Sequence, residues 1–323
     1  MFFFNSNKVS LLDSTVQTKM ATNDEKYERI AVITGANKGI GFEIVRQLAA
    51  AGVTVVLTAR DERRGVEATS KIHSLGLSNV VFHQLDVTDI NSITSLVHFI
   101  KAKFGRLDIL VNNAAASGME VDDEGLRALN IDAATWLSGK AASLVQEVMK
   151  TTYEKAEECF NTNYYGVKGV TEALLPLLKL STTNARIVNI SSLRGELWRI
   201  SNDQIRSEFT NIESLTEARI QERLQEFLQD VKQETLIENG WPLMLPAYGI
   251  SKTALNAYTR LLARKYPEMC INCVHPGYVD TDLNWHTGLM SPEDGAKAPV
   301  GLALLPEGGP TGCYFDQTKV ASF

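Results

Sequence analysis

Short runs of valine, isoleucine and leucine alternate with amphipathic stretches from Arg29 onward in this chain of 323 residues. The runs are IAVIT (30–34), VTVVLTA (53–59), NVVFHQLDV (79–87), LDILVNN (107–113), ARIVNISS (185–192), CINCVHPG (270–277) and GCYF (312–315). Apolar residues follow one another in them, with little polar alternation, as in strands covered on both faces of a parallel sheet. FEIVRQLAAAG, SITSLVHFIKAKFG and YEKAEECFNTNYYGVKGVTEALLPLLKL instead repeat apolar residues every three to four positions at helix length. The succession predicts an α/β protein, with a doubly wound sheet of seven parallel strands and helices on both faces.

Two stretches interrupt the alternation, at about 116–150 and about 193–245. In the second, Leu224, Phe227, Leu228 and Val231 recur at helical spacing with charges on the other face. That stretch is read as a helical lid over the site that its flanks define. Residues 1–26 are read as a disordered extension. They carry three phenylalanines, two lysines and no arginine before Met20, too little for a secretory or transit signal. Residues 27–323 are read as a single domain with the two insertions.

Composition narrows the function. A net charge of −6 leaves no basic footprint for nucleic acid, although one or two cations suffice for a small phosphate ligand. No run approaches the length of a membrane span. Cys159, Cys270, Cys273 and Cys313 are too few for a disulfide scaffold, which points to a reducing, cytoplasmic compartment. Cys270 and Cys273 form a CxxC, but on a strand they face opposite sides of the sheet. His73, His83, His98, His275 and His286 have no ligand spacing, so no metal site is expected.

Candidate chemistry begins in TGANKGIG (34–41), set between an apolar run and a helix. Gly35 suits a sharp turn, Gly39 lets backbone approach a pyrophosphate, and Gly41 lets the helix pack closely. The N–H groups of the helix N-terminus then face the anion. Dinucleotide enzymes meet the adenosine ribose about 20 residues later. Arg60 stands at that corner, and Lys38 lies inside the turn. Two cations there match a 2′-phosphate, favouring NADP(H) over NAD(H); the competing reading is a surface pair of Arg60 with Asp61.

A second constellation comprises Asn163, Ser192, Tyr248 and Lys252. Tyr and Lys four apart share a helix face. A phenol with a pKa of about 10 is a poor acid–base match at neutral pH, and a neighbouring ammonium lowers it. Ser192 can then hold a carbonyl oxygen while Tyr248 protonates it, with Asn163 ordering a water that links Lys252 to solvent.

TGANKGIG, the LDV run (85–87), NNA (112–114), Asn163, NISS (189–192), YGISK (248–252) and HPGYVDTD (275–282) together resemble the short-chain dehydrogenase/reductase family, whose sheet is of Rossmann type. The NKGIG variant, the long insertion before the tyrosine and NGWP (239–242) resemble the branch that includes plant salutaridine and menthone/neomenthol reductases and animal carbonyl reductases. The resemblance implies a monomeric, cytosolic, NADPH-dependent carbonyl reductase or alcohol dehydrogenase. By position it carries over the turn residues Gly35, Asn37, Lys38, Gly39, Ile40 and Gly41, with Arg60, as cofactor contacts. Asp86 and Val87 would meet the adenine, Asn113 and Ala114 its ribose, and Pro276, Gly277, Val279 and Thr281 the nicotinamide, with Tyr248 and Lys252 also touching the cofactor. Ala115 departs from the family's usual glycine. Leu193, Leu197, Trp198, Trp241, Leu243 and Met244, joined by Leu283, Trp285 and Met290, are expected to form an apolar pocket for a cyclic or terpenoid-like ketone. Reduction of an activated carbon–carbon double bond, or NADP(H) sensing without catalysis, are the alternatives.

Overall fold

Strands without a polar face persist only where both faces are covered. In the computed structural model, which describes residues 28–323, β1 (Ile30–Ile33) and β2 (Thr54–Ala59) are buried at every position. The expected extension at 1–26 lies outside the described residues. β3 (Val80–Gln84) is an edge strand, fully buried only at its first residue. β4 (Ile109–Asn112) is again wholly buried. β5 (Glu120–Val121) and β6 (Met149–Lys150) form a separate antiparallel pair within the first insertion. β7 (Arg186–Ile190) and β8 (Cys270–His275) are buried throughout, followed by β9 (Tyr314–Asp316) and β10 (Lys319–Ala321).

The main sheet runs β10-β9-β8-β7-β4-β1-β2-β3. It has eight strands where the sequence predicted seven, and the eighth, β10, is antiparallel to β9. Gln317, at a φ of 53°, turns the chain back after β9, and three residues are too few to show a strand period. Helices Gly39–Ala50, Glu62–Ser74 and Pro292–Ala303 pack on one face, and Ile90–Phe104, Val167–Leu178 and Pro246–Lys265 on the other. Chain order reverses between β1 and β4, so a crevice opens at their carboxyl ends. Below it, Asn112 Nδ2 donates to Asn189 Oδ1 at 2.8 Å, and Asn189 Nδ2 to the Thr259 hydroxyl at 2.9 Å. These buried bonds tie β4, β7 and the helix Pro246–Lys265 into one frame.

The insertions divide their tasks differently from expectation. The first folds on a small core that includes Leu126, Trp136, Val145 and Met149. The second forms helices Asp203–Thr210 and Glu217–Gln233, the latter N-capped by Thr216. Leu224, Phe227 and Leu228 are buried as the spacing predicted. The helix Glu217–Gln233 packs against Tyr153–Phe160 and Pro246–Lys265, on the flank of the domain, so it is not a lid over the crevice. Cys270 joins the core on one face of the sheet, while Cys273 faces Thr259 on the other.

Candidate active site

Thr34 follows β1, and its hydroxyl accepts the backbone N–H groups of Asn113 (2.9 Å) and Ala114 (3.0 Å). Gly35, at a φ of 61°, comes so near the chain after β4 that a Cβ would lie 2.8 Å from the Ala114 Cα. Gly41 is held to glycine by another neighbour than the strand expected: a Cβ there would meet Asn113 Nδ2 at 2.4 Å. Asn113 Nδ2 donates to the carbonyls of Thr34 (2.9 Å) and Gly35 (3.0 Å), bracing the turn. The helix Gly39–Ala50 then starts with no side chain capping it and no acidic residue in its first turn. Its first N–H groups are open to an anion.

Arg60 is exposed after β2 and forms no ion pair among the described residues. Asp61 does not pair with it. Its carboxylate caps the next helix, accepting the Arg64 N–H at 2.8 Å. That cap brings Arg64 to the same crevice, a residue the sequence reading missed although it lies one helical turn beyond Arg60. Lys38 is engaged elsewhere, in an ion pair with Asp282 across the crevice mouth. The Lys38 ammonium, more than the nearby His286, holds the Asp282 carboxyl below its ordinary value. One oxygen of Asp86 accepts the Thr88 N–H (2.9 Å) and hydroxyl (2.7 Å).

The helix Pro246–Lys265 begins with proline in its first turn and carries Tyr248 and Lys252 one turn apart. Ser191 turns inward, its hydroxyl donating to Asn256 Oδ1. Ser192 faces the other way: its oxygen accepts the Arg194 N–H at 3.1 Å, and the side chain lines the same cleft as the Tyr248 phenol. Lys252 is buried, and its Nζ donates to the Ile190 carbonyl at the end of β7, at 2.7 Å. Burial pushes the Lys252 ammonium down to about 8. Burial also pushes the Tyr248 phenol above its ordinary value, opposed by the Ser192 hydroxyl and the Arg194 charge. The expected lowering by Lys252 is therefore not found in the protein alone, because desolvation dominates a phenol placed there. Asn163 lies in the π-helical turn Asn161–Gly166, outside the crevice wall. Its Oδ1 accepts the Ala116 N–H (2.8 Å), and its Nδ2 donates to the Ala116 carbonyl (3.0 Å) and the Ser251 hydroxyl (2.9 Å). With the amide so occupied, the side chain braces the loop after β4.

One cleft of about 720 Å³ gathers the rest. It is lined by Gly35, Asn37, Lys38, Gly39, Ile40 and Gly41 from the turn, by Arg60, Asp86 and Val87, and by Asn113 and Ala114. Ser192, Tyr248, Lys252, Pro276, Gly277, Val279 and Thr281 complete it. The expected apolar wall is only partly there. Leu193, Leu283 and Trp285 line the cleft, but Leu197 and Trp241 belong to the core, and Trp198 and Leu243 are exposed. Met244 joins the small core of the first insertion, and Met290 packs on Gly277. Met119, Trp136 and Leu137 from that insertion, with Tyr278 and Leu245, take their place. Trp136 and Trp285 meet edge to face at 6.4 Å between ring centroids. Ala115 also lines the cleft, and it is not among the residues with a positive φ, so its methyl adds no backbone strain. Ala115→Gly is accordingly expected to change kcat/KM by no more than about twofold and to lower thermal stability slightly, through the unfolded chain's added freedom. A rise in kcat/KM of tenfold or more in steady-state assays would show that the methyl obstructs the cofactor.

Residues 29–202 match the short chain dehydrogenase family. The chain is 50% identical over 299 residues to short-chain dehydrogenase/reductase 1 of Saponaria officinalis, covering 92% of this chain and 96% of the relative. It is 48% identical over 303 residues to (+)-neomenthol dehydrogenase of Arabidopsis thaliana, covering 93% and 99%. Among solved structures, salutaridine reductase from Papaver somniferum superposes with a TM-score of 0.83 at 47% identity, covering 90% of this chain and 99% of that one.

Proposed function

The chain belongs to the short-chain dehydrogenase/reductase family and is an oxidoreductase; from that premise we propose that it reduces a cyclic, terpenoid- or alkaloid-like ketone with NADPH. The observation that carries the reading is the placement of the Tyr248 phenol and the Ser192 hydroxyl in the same cleft as an uncapped helix N-terminus and two arginines. The turn at 34–41 fits a pyrophosphate, since Gly35 and Gly41 leave the backbone bare where side chains would clash and the helix N–H groups are unclaimed. Arg60 and Arg64 fit a 2′-phosphate. When bound, the nicotinamide cofactor supplies the hydride. Ser192 holds the ketone oxygen, and Tyr248, kept protonated by its burial, donates the proton that the new alkoxide takes up. Lys252, fixed on the Ile190 carbonyl, places a cation beside the phenolate that remains and a donor toward the cofactor ribose. Asn163 acts as a positioning residue, holding the Ala116 backbone that walls the cleft.

Relatives named for neomenthol and salutaridine support a bulky cyclic ketone as substrate, and the Trp136–Trp285 wall supports an apolar ring. The ordinary backbone at Ala115 removes the reason to favour NADP(H) sensing without turnover. The helix at 217–233 covers the flanks of Tyr153–Phe160 and Pro246–Lys265, which supports a monomer. No helix among the described residues is long and apolar enough to cross a membrane. The test is NADPH consumption by purified protein with cyclic monoterpenoid ketones, simple aldehydes and quinones, product analysis separating alcohols from saturated ketones. Alcohol formation with NADPH preferred over NADH is expected. Tight NADPH binding without turnover across the panel, or exclusive reduction of the double bond in enones, would refute the reading.

A further inference from the structure

At the substrate end of the cleft a cation is sunk among aromatic side chains. Arg194 is 5% exposed and lines the cleft beside Trp136, Tyr278 and Trp285. A guanidinium in such a place is costly unless it is neutralised or fully hydrogen-bonded. It forms no ion pair with a carboxylate among the described residues. Its Nη2 donates to the Trp136 carbonyl, which satisfies one of five N–H donors. The nearby Glu196 carboxylate is taken by the Trp198 indole at 2.8 Å and the Tyr314 hydroxyl at 3.4 Å. Burial pushes the Arg194 guanidinium down to about 10, and the like charge of Arg199, itself paired with Glu196 at 3.6 Å, acts in the same direction.

The backbone beneath this side chain is fixed to the catalytic groups. Its N–H donates to Ser192 Oγ, and Gly195 lies so close to the catalytic helix that a Cβ would sit 2.8 Å from the Lys252 carbonyl carbon. The side chain bridges from there to the wall of the first insertion. Its remaining donors are thus presented at a set position relative to Ser192 and Tyr248.

We propose that Arg194 is a specificity-determining residue whose guanidinium receives a second, acceptor oxygen of the substrate, so that the preferred ketones carry a carboxylate, phenolate or hydroxyl besides the carbonyl that is reduced. The inference rests on the ketone-reductase reading above. A plain hydrocarbon ketone would cover the guanidinium at the cleft wall without pairing it, and sites built to bond an oxygen discriminate strongly against analogues that lack it.

The experiment compares kcat/KM for 4-oxocyclohexanecarboxylate and 4-methylcyclohexanone, of the same ring and similar size, in the wild type, Arg194→Met and Arg194→Gln. The wild type is expected to favour the carboxylate by about tenfold or more, with the ratio falling to about one in Arg194→Met. Arg194→Gln keeps a donor for the Trp136 carbonyl without the charge, so a lost ratio there reports the charge and not a collapsed wall. Calorimetric binding of cyclohexanecarboxylate to the NADP+-loaded protein needs no turnover and is expected to be about tenfold weaker in either variant. Binding that depends on Arg194 without reduction of either ketone would sink the reductase reading and leave the anion site standing. Equal use of both ketones by the wild type, or a ratio that survives in Arg194→Gln, would overturn the proposal.

Discussion

Tyr248→Phe is expected to lower kcat/KM for ketone reduction by about a thousandfold, the middle of the range for loss of a positioned proton donor, while NADPH still binds. The change removes one oxygen from a ring packed on its surroundings, so the scaffold has little cause to shift. What disappears is the phenol that shares the cleft with Ser192. Burial holds that phenol protonated across neutral pH, which suits an acid and handicaps a base. Lys252, pushed down to about 8, carries its charge below that pH and loses it above. On the proposed reading, reduction leaves a phenolate that this charge stabilises, so the reduction rate is expected to be highest below about pH 8 and to fall as pH rises through it. Alcohol oxidation, which needs the phenolate before the chemical step, gains as pH rises. Steady-state rates in both directions against pH, with NADPH affinity of the variant measured by fluorescence titration, check the argument. A Tyr248→Phe enzyme retaining a tenth of the wild-type rate would remove the tyrosine from the proton path.

How much of this was legible beforehand follows from the range over which each interaction acts. The crevice was legible because each of its walls is a strand end followed by a short motif. TGANKGIG after β1, NNA at the end of β4, NISS at the end of β7 and HPG at the end of β8 carry their geometry in residues next to one another. The buried strands announced themselves by unbroken valine and isoleucine. What stayed hidden depends on partners far apart in the chain. Lys38 meets Asp282 across 244 positions, Arg194 meets Trp136 across 58, and Asn163 meets Ala116 across 47. No local pattern marks such pairs, so the relay role assigned to Asn163 and the lid assigned to the second insertion were inferred from position alone. Periodicity correctly found the buried face of the helix at 217–233. It could not say which surface that face would cover.

The same long-range contact shapes the expectation for cofactor choice. Arg60→Ala is expected to weaken NADPH binding by about ten- to a hundredfold, the worth of a charge-assisted bond to a phosphate, and NADH binding by no more than about threefold. Among the described residues Arg60 has no competing ion pair to surrender, so its full interaction is available to a 2′-phosphate. Arg64, held on the first turn by the Asp61 cap, should retain part of the preference, and the Arg60→Ala/Arg64→Ala double variant should abolish it. Lys38 stands differently. It must leave Asp282 to reach a phosphate, and an exposed ion pair given up offsets much of what the new contact contributes. Lys38→Ala is therefore expected to cost NADPH less than Arg60→Ala does. Dissociation constants for both cofactors across these variants, at low and high salt, separate the contributions, because contacts to a phosphate weaken with ionic strength. Equal losses for NADPH and NADH in Arg60→Ala would mean that this corner holds the adenosine by shape and reads no phosphate.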